Sequence, residues 1–238
     1  MPPDEGTPWG VVVPVKRLDV AKSRLGAYGD TTRSRLALAF AADVVSAALS
    51  CDRVARVLVV TDDDVAAGAL AALGADVAPD SPDDGLNPAL AHGAELIRSA
   101  VPGCGVACLS ADLPALGPEQ LDAVLRVVAA GSRAFVPDAD GGGTTLLAAG
   151  PGCDLDPAFG PGSRGRHLAS GALELLAAPQ LRRDVDTPLD LRHALELGVG
   201  PATRAVLRDL PEEVVHLHGA RWSGEHPPAG DRRSDPDR

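Results

Sequence analysis

The stretch VARVLVVT, residues 54–61, most limits what this chain can become. Its apolar residues run on without alternating, so a strand built from it must be covered on both faces, as in a parallel sheet sandwiched by helices. Residues 10–15 (GVVVPV) and 105–110 (GVACLS) repeat that signature, and a short strand is expected at 75–78. Between the strands apolar side chains recur at helical spacing: Leu36, Phe40, Val44 and Ala48, then Leu90, Ala94, Ile97 and Val101. Asn87-Pro88 reads as an N-cap followed by proline at the first helical position. The βαβα order predicts an α/β fold with helices on both faces of a mainly parallel sheet. Ligands of such sheets bind beyond the carboxyl ends of the strands.

After Ser110 the pattern shortens. Strands are predicted at 134–136 and 144–149, joined by PDADGGG, then a helix over 164–177, a strand at 181–185 and a helix from Thr187-Pro188. A single domain is expected over residues 10–218, with disordered polar tails at 1–9 and 219–238.

Charge narrows the partners. A net charge of -11 argues against nucleic acid, yet leaves room for a small anion at a local cluster of cations. No apolar run approaches the roughly 18 to 20 residues of a membrane span. The first ten residues, MPPDEGTPWG, lack the basic and apolar regions of a secretory signal, so the expected location is the cytoplasm, away from membranes. Cys51, Cys104, Cys108 and Cys153 are read as free thiols, since no second Cys or His pair completes a zinc pattern.

Within this acidic, arginine-using chain, lysine occurs only at Lys16 and Lys22, in the loop after the first strand. With Arg17, Ser23 and Arg24 they form a cationic island where a parallel sheet places its ligand. Such a loop is often merely solvated, but lysine's compact charge on a flexible stem suits a moving triphosphate. Asp112, in SADLP after the strand 105–110, either caps a turn or supplies a hard oxygen to Mg²⁺. In DVDTPLDL, Thr187, Pro188 and Asp190 are explained by helix capping. Asp184 and Asp186 are not, and two residues apart on a strand they would face one ion. Finally, DGGGTTLL and FGPGSRGRHL bring glycines, hydroxyls and arginines together, with Ser163 as N-cap, suggesting a second anion site. There is no nucleophile elbow, Walker loop or HExxH pattern, so covalent catalysis has no strong candidate.

Taken in order, PVKRLDVAKSRL, SADLPAL, GTTLL, FGPGS followed by His167, and DVDTPLDL resemble the guanylyltransferases of coenzyme F420 biosynthesis over about residues 10–200. The resemblance implies a GT-A-like (Rossmann-like) nucleotidyltransferase α/β/α sandwich. It implies GTP and a phosphorylated three-carbon acid as substrates, phosphoenolpyruvate or 2-phospho-L-lactate, with Mg²⁺ as cofactor. By the same resemblance Lys16, Lys22 and Arg24 hold the triphosphate, and Asp112 and Asp186 the metal. Thr145, Gly160 and Ser163 hold the acid, and Asn87 falls where guanine is read. The actinobacterial look of the composition favours phosphoenolpyruvate, and the labile product suggests hand-over to the next transferase of the pathway. Alternatives on the same fold are a sugar-phosphate or molybdopterin nucleotidyltransferase, a glycosyltransferase using DVD, and an inactive nucleotide-binding regulator.

Overall fold

A computed structural model describes residues 6–82 and 84–210. Residues 1–5 of the tail predicted at 1–9, the whole tail predicted at 219–238, and residues 211–218 of the expected domain lie outside these residues. Seven strands form one sheet in the order β3-β2-β1-β4-β6-β5-β7. The first half follows the βαβα expectation: β1 (Trp9–Pro14), α1 (Asp30–Leu49), β2 (Val54–Val60), α2 (Asp64–Ala71), β3 (Asp76–Ala78), α3 (Leu86–Ala100) and β4 (Gly105–Leu109). β1 pairs in parallel with both β2 and β4, and β2 with β3. Trp9, placed in the N-terminal tail by its sequence, instead opens β1 and is 2% exposed.

The second half comprises α4 (Pro118–Leu125), β5 (Arg133–Val136), β6 (Leu146–Ala149), α5 (Ser163–Ala169), β7 (Leu173–Glu174), α6 (Pro179–Arg182), α7 (Pro188–Leu197) and α8 (Pro201–Arg208). β6 runs antiparallel to both β4 and β5, making the sheet mixed. That reversal carries the turn between β5 and β6 to the edge where β1, β2 and β4 end.

Two elements differ from expectation. The helix predicted over 164–177 stops at Ala169, because Gly171 takes φ 84 and Leu173–Glu174 then pairs with β5. The strand predicted at 181–185 is the short helix α6 followed by an extended stretch, since Pro179 starts a helical turn.

The helices divide between the two faces. Val11, Val13, Val57 and Val59 pack with Val44 and Val45 of α1 on one side, and Val12, Leu58, Val60 and Val106 with Leu90, Ala94 and Ile97 of α3 on the other. β1 and β2 are therefore apolar on both faces, as their runs of valine require. α3 lies close to the sheet because Gly10 leaves space for Ile97; a Cβ there would stand 2.1 Å from Ile97 Cγ2. The four cysteines are free, Cys51, Cys104 and Cys108 being buried.

Candidate active site

The loop after β1 is folded around a guanidinium. Arg33, in the first turn of α1, is 6% exposed and donates to the backbone oxygens of Leu18, Asp19 (2.8 Å) and Ala21. Ser34 Oγ donates to the Leu18 oxygen at 3.0 Å. From the far side Asp63 accepts the Leu18 amide at 2.8 Å with one carboxylate oxygen and caps α2 with the other. Held from both sides, the loop reaches Lys22 in the left-handed region, φ 54 and ψ 41. A non-glycine residue there costs on the order of 1 kcal/mol or more, and such strain gathers at functional sites.

That backbone aims Lys22 Nζ at two carboxylates. It donates to Asp112 Oδ2 and, at 2.7 Å, to Asp186 Oδ1. Asp112 follows β4, and its backbone oxygen accepts the Val185 amide at 3.0 Å, which ties the 183–187 stretch to the strand end. Asp186 immediately precedes the capping box of α7, where Thr187 accepts the Asp190 amide and Asp190 Oδ2 accepts the Thr187 amide at 2.8 Å. The pairing sets the charges. Burial pulls the Lys22 ammonium down, but Asp112 and Asp186 together outweigh it and hold the group above its ordinary value. Burial likewise pushes Asp186 up, and Lys22, with Arg24 and Lys16, brings it below the carboxylate range.

These residues line a cleft of about 410 Å³ at the carboxyl edge of the sheet, with Lys16, Arg24, Ser110 and Leu86. Arg24 is exposed, its guanidinium 3.8 Å from Asp186. Asp184 does not share a strand face with Asp186, as the i, i+2 reading expected, because no strand forms there. Burial, then the nearby charges of Asp112, Asp138 and Asp186, push its pKa up to about 7.

The second cluster lies beside the cleft rather than in its walls. Thr145 accepts the Ser110 amide with its backbone oxygen at 2.8 Å, which puts the DGGGTT turn next to the segment carrying Asp112. The Thr145 hydroxyl donates to the Leu181 oxygen at 2.7 Å. Its neighbour Thr144 is the one that meets Ser163: Ser163 Oγ donates to Thr144 Oγ1 at 3.0 Å. Gly162, not Ser163, stands at the cap of α5, and Gly160 is exposed with φ 114. The Gly142 and Gly143 amides donate to the Asp138 carboxylate at 2.9 and 2.7 Å.

Asn87 is not an N-cap; Gly85 holds that position and Asn87 is the second residue of α3. Its amide accepts from the Phe159 N–H at 2.7 Å and donates to the Phe159 oxygen at 3.2 Å, pinning the FGPG loop to the helix. Arg166 donates to the oxygens of Ala158, Phe159 and Pro161 of the same loop. GPGSRG has the spacing GxGxxG, yet it follows this pinned loop instead of a strand and so lacks the setting of a dinucleotide fingerprint. Sequence reasoning offers Thr144 or Thr145 as the hydroxyl after the glycines, but misses Arg33 and His167 as parts of the site. Of these two only His167 has a signal, its place after FGPGS.

The strand-end cleft thus holds cations and paired carboxylates, with the hydroxyl-bearing turn beside it. Residues 9–223 match the family model described as guanylyl transferase CofC like. The chain belongs to this family. A relative named phosphoenolpyruvate guanylyltransferase, from Thermomonospora curvata, is 57% identical over 205 residues, covering 85% of this chain and 90% of the relative. Among solved structures, a candidate nucleotide-diphospho-sugar transferase from Desulfovibrio desulfuricans G20 superposes with a TM-score of 0.66 at 18% identity, covering 89% of this chain and 98% of its own. Rv0371C of Mycobacterium tuberculosis H37Rv, solved in complex with manganese, gives 0.50 at 23% identity, covering 80% and 98%. The fold is that of the nucleotidyltransferases. Among the described residues, no helix is long and apolar enough to cross a membrane.

Proposed function

We propose that this member of the family transfers GMP from GTP to phosphoenolpyruvate, releasing pyrophosphate, as a cytoplasmic step of coenzyme F420 biosynthesis. The observation that carries the reading is the convergence of Lys22, Asp112 and Asp186, from three distant segments, on the floor of one strand-end cleft. The 57% identical phosphoenolpyruvate guanylyltransferase supports the choice of acceptor.

The chemistry needs little from the protein beyond placement and charge. A phosphate monoester, with a second pKa near ~6, is already largely dianionic at neutral pH and needs no general base. Its oxygen attacks the α-phosphorus of GTP in line, one P–O bond forming as the bond to the pyrophosphate oxygen breaks. Lys16, Lys22 and Arg24 offset the charge gathering on the leaving pyrophosphate. Lys22 does this as an ammonium: its ion pairs keep it protonated, with no lone pair to attack phosphorus. Thr145, Gly160 and Ser163, with Thr144 beside them, are assigned to the acid.

Two carboxylates are a fitting donor set for Mg²⁺. Asp112 Oδ1 is buried without a hydrogen-bond partner, and Asp186 lies across the Lys22 ammonium from it. Among the described residues no three His, Cys, Asp or Glu side chains are placed to hold one metal ion, so phosphate oxygens and water would complete the shell. Such an ion would supply charge neutralisation at the α-phosphate. Lys22 holds the two carboxylates together.

The test is pyrophosphate release with GTP and Mg²⁺, offering phosphoenolpyruvate and 2-phospho-L-lactate in parallel. Release with phosphoenolpyruvate alone is the expected result. Release with phospholactate alone overturns the acceptor, and release with neither overturns the reaction. Because the product would be a labile phosphoanhydride, we also propose direct hand-over to the next transferase. Equal throughput in a coupled assay with the two enzymes kept apart would sink that step.

A further inference from the structure

One fully buried polar side chain outside the lysine–carboxylate cluster has partners in both glycine-rich segments. His167 is 0% exposed and packs against the rings of Phe135 and Phe159, with centroids 5.5 Å away in each case. Its Nε2 accepts the Ala158 N–H at 3.1 Å. A ring nitrogen that accepts carries no proton, so the neutral imidazole has its hydrogen on Nδ1. Nδ1 lies 2.9 Å from Thr144 Oγ1 and therefore donates to it. Burial first, then the charges of Arg166 and Arg133 against the smaller opposing effect of Asp156, lower the His167 pKa to about 4, so the ring stays neutral at pH 7.

The two ring bonds are not equivalent. The bond to Ala158 is local to the loop that leads into α5, whereas the bond to Thr144 crosses to the turn between β5 and β6. Thr144 Oγ1 also receives the Ser163 hydroxyl, so imidazole, threonine and serine form one chain between the two segments. Arg164 adds two long bonds between the segments, its backbone N–H to the Gly142 oxygen and its guanidinium to the Gly141 oxygen, each at 3.4 Å. The side-chain chain through His167 is the shorter link and reaches Thr144 itself.

We propose that His167 is a positioning residue for the acceptor, its Nδ1–H holding the two glycine-rich segments, through Thr144, at the spacing the phosphorylated acid requires. The inference rests on the assignment of the acid to these segments. Asparagine and glutamine separate the two bonds: His167→Asn puts an amide donor near the Nδ1 position and keeps Thr144, while His167→Gln reaches the Nε2 position and keeps only Ala158.

The experiment measures KM for phosphoenolpyruvate and for GTP separately in wild type and both variants, with ¹⁵N-histidine spectra of the wild type to read the tautomer. His167→Gln should raise the phosphoenolpyruvate KM by about tenfold or more and leave that for GTP within about twofold, while His167→Asn stays within about threefold on both. The wild-type ring should carry its proton on Nδ1. Equal shifts for both substrates, equal losses in both variants, or a proton on Nε2 would overturn the proposal. If either variant fails to fold, Thr144→Val takes its place and should reproduce the Gln pattern; an unchanged acceptor KM in it is contrary. Wild-type turnover with an unaffected Gln variant removes His167 alone. A wild type inactive with both acids removes the acceptor assignment, and His167 with it.

Discussion

Lys22 and His167 each join segments far apart in the chain at the same edge of the sheet, but the bonds differ in kind. Lys22 is a cation between two carboxylates, bordering the cleft, with one oxygen of Asp112 still without a partner. His167 is a neutral ring in a closed chain of hydrogen bonds, walled by phenylalanines. A charged tie can be exchanged for another ion at small net cost, because its components are costly to bury and well compensated only in pairs. A neutral chain in an apolar setting has no such substitute and breaks with the loss of buried partners. On the proposed assignment, the half of the site given to the nucleotide is arranged to change partners, and the half given to the acceptor to stay fixed.

That contrast can be broken most forcefully at Asp112. Asp112→Asn should lower pyrophosphate release by on the order of 10²- to 10³-fold, as loss of a key charge-stabilising group does, and leave the melting temperature nearly unchanged. A comparable collapse in stability would show Asp112 to be structural. Lys22→Met comes next, with a predicted loss of about 2 to 4 kcal/mol of transition-state stabilisation. It should also bind Mn²⁺ more tightly than wild type in the absence of nucleotide, because no ammonium competes for the carboxylates; weaker binding, read by titration calorimetry, would contradict the exchange.

His167 probes the neutral half through pH. Its folded pKa, about 4, lies below the ordinary 6.5, so the native state binds fewer protons than the unfolded chain between these values. The contribution is present above pH 6.5 and is lost as pH falls toward 4, amounting to roughly 3 kcal/mol at the acid end. Urea unfolding of wild type and His167→Asn at pH 7.5 and 5 should show the wild-type advantage shrinking at the lower pH. A constant gap would mean that the ring is not held neutral. The smallest effect is expected at Arg33. Arg33→Lys keeps the charge but not the fork that reaches three backbone oxygens, so the GTP KM should rise by about three- to tenfold with the acceptor KM unchanged.

Some of this was readable in the sequence for definite reasons. The valine runs of β1 and β2 require cover on both faces, as a sheet sandwiched by helices gives, and Lys22, Asp112 and Asp186 stand out by falling at predicted strand ends. Arg33 gave no sign, because an arginine in DTTRSRLALAF looks like any solvent-facing helix residue until the loop folds over it. The residues alone leave Thr144 and Thr145 open and the resemblance points to Thr145, but neighbours leading into a strand point to opposite sides, and only the fold shows which hydroxyl meets Ser163. The 181–185 stretch reads as a strand from its apolar ends, but Leu181 is buried by a helical turn that Pro179 starts and Arg182 ends, and Val185 lies beyond it in a separate apolar cluster.

The most direct test of the central claim, that Lys22 acts as a charge while the acceptor's own phosphate attacks GTP, is incubation with GTP labelled at the α-phosphorus and Mg²⁺, first without acceptor and then with phosphoenolpyruvate. The predicted result is no label on the protein and no pyrophosphate until the acceptor is added. A burst of pyrophosphate without acceptor, with label retained on Lys22, would contradict it and make the reaction a two-step transfer through the lysine.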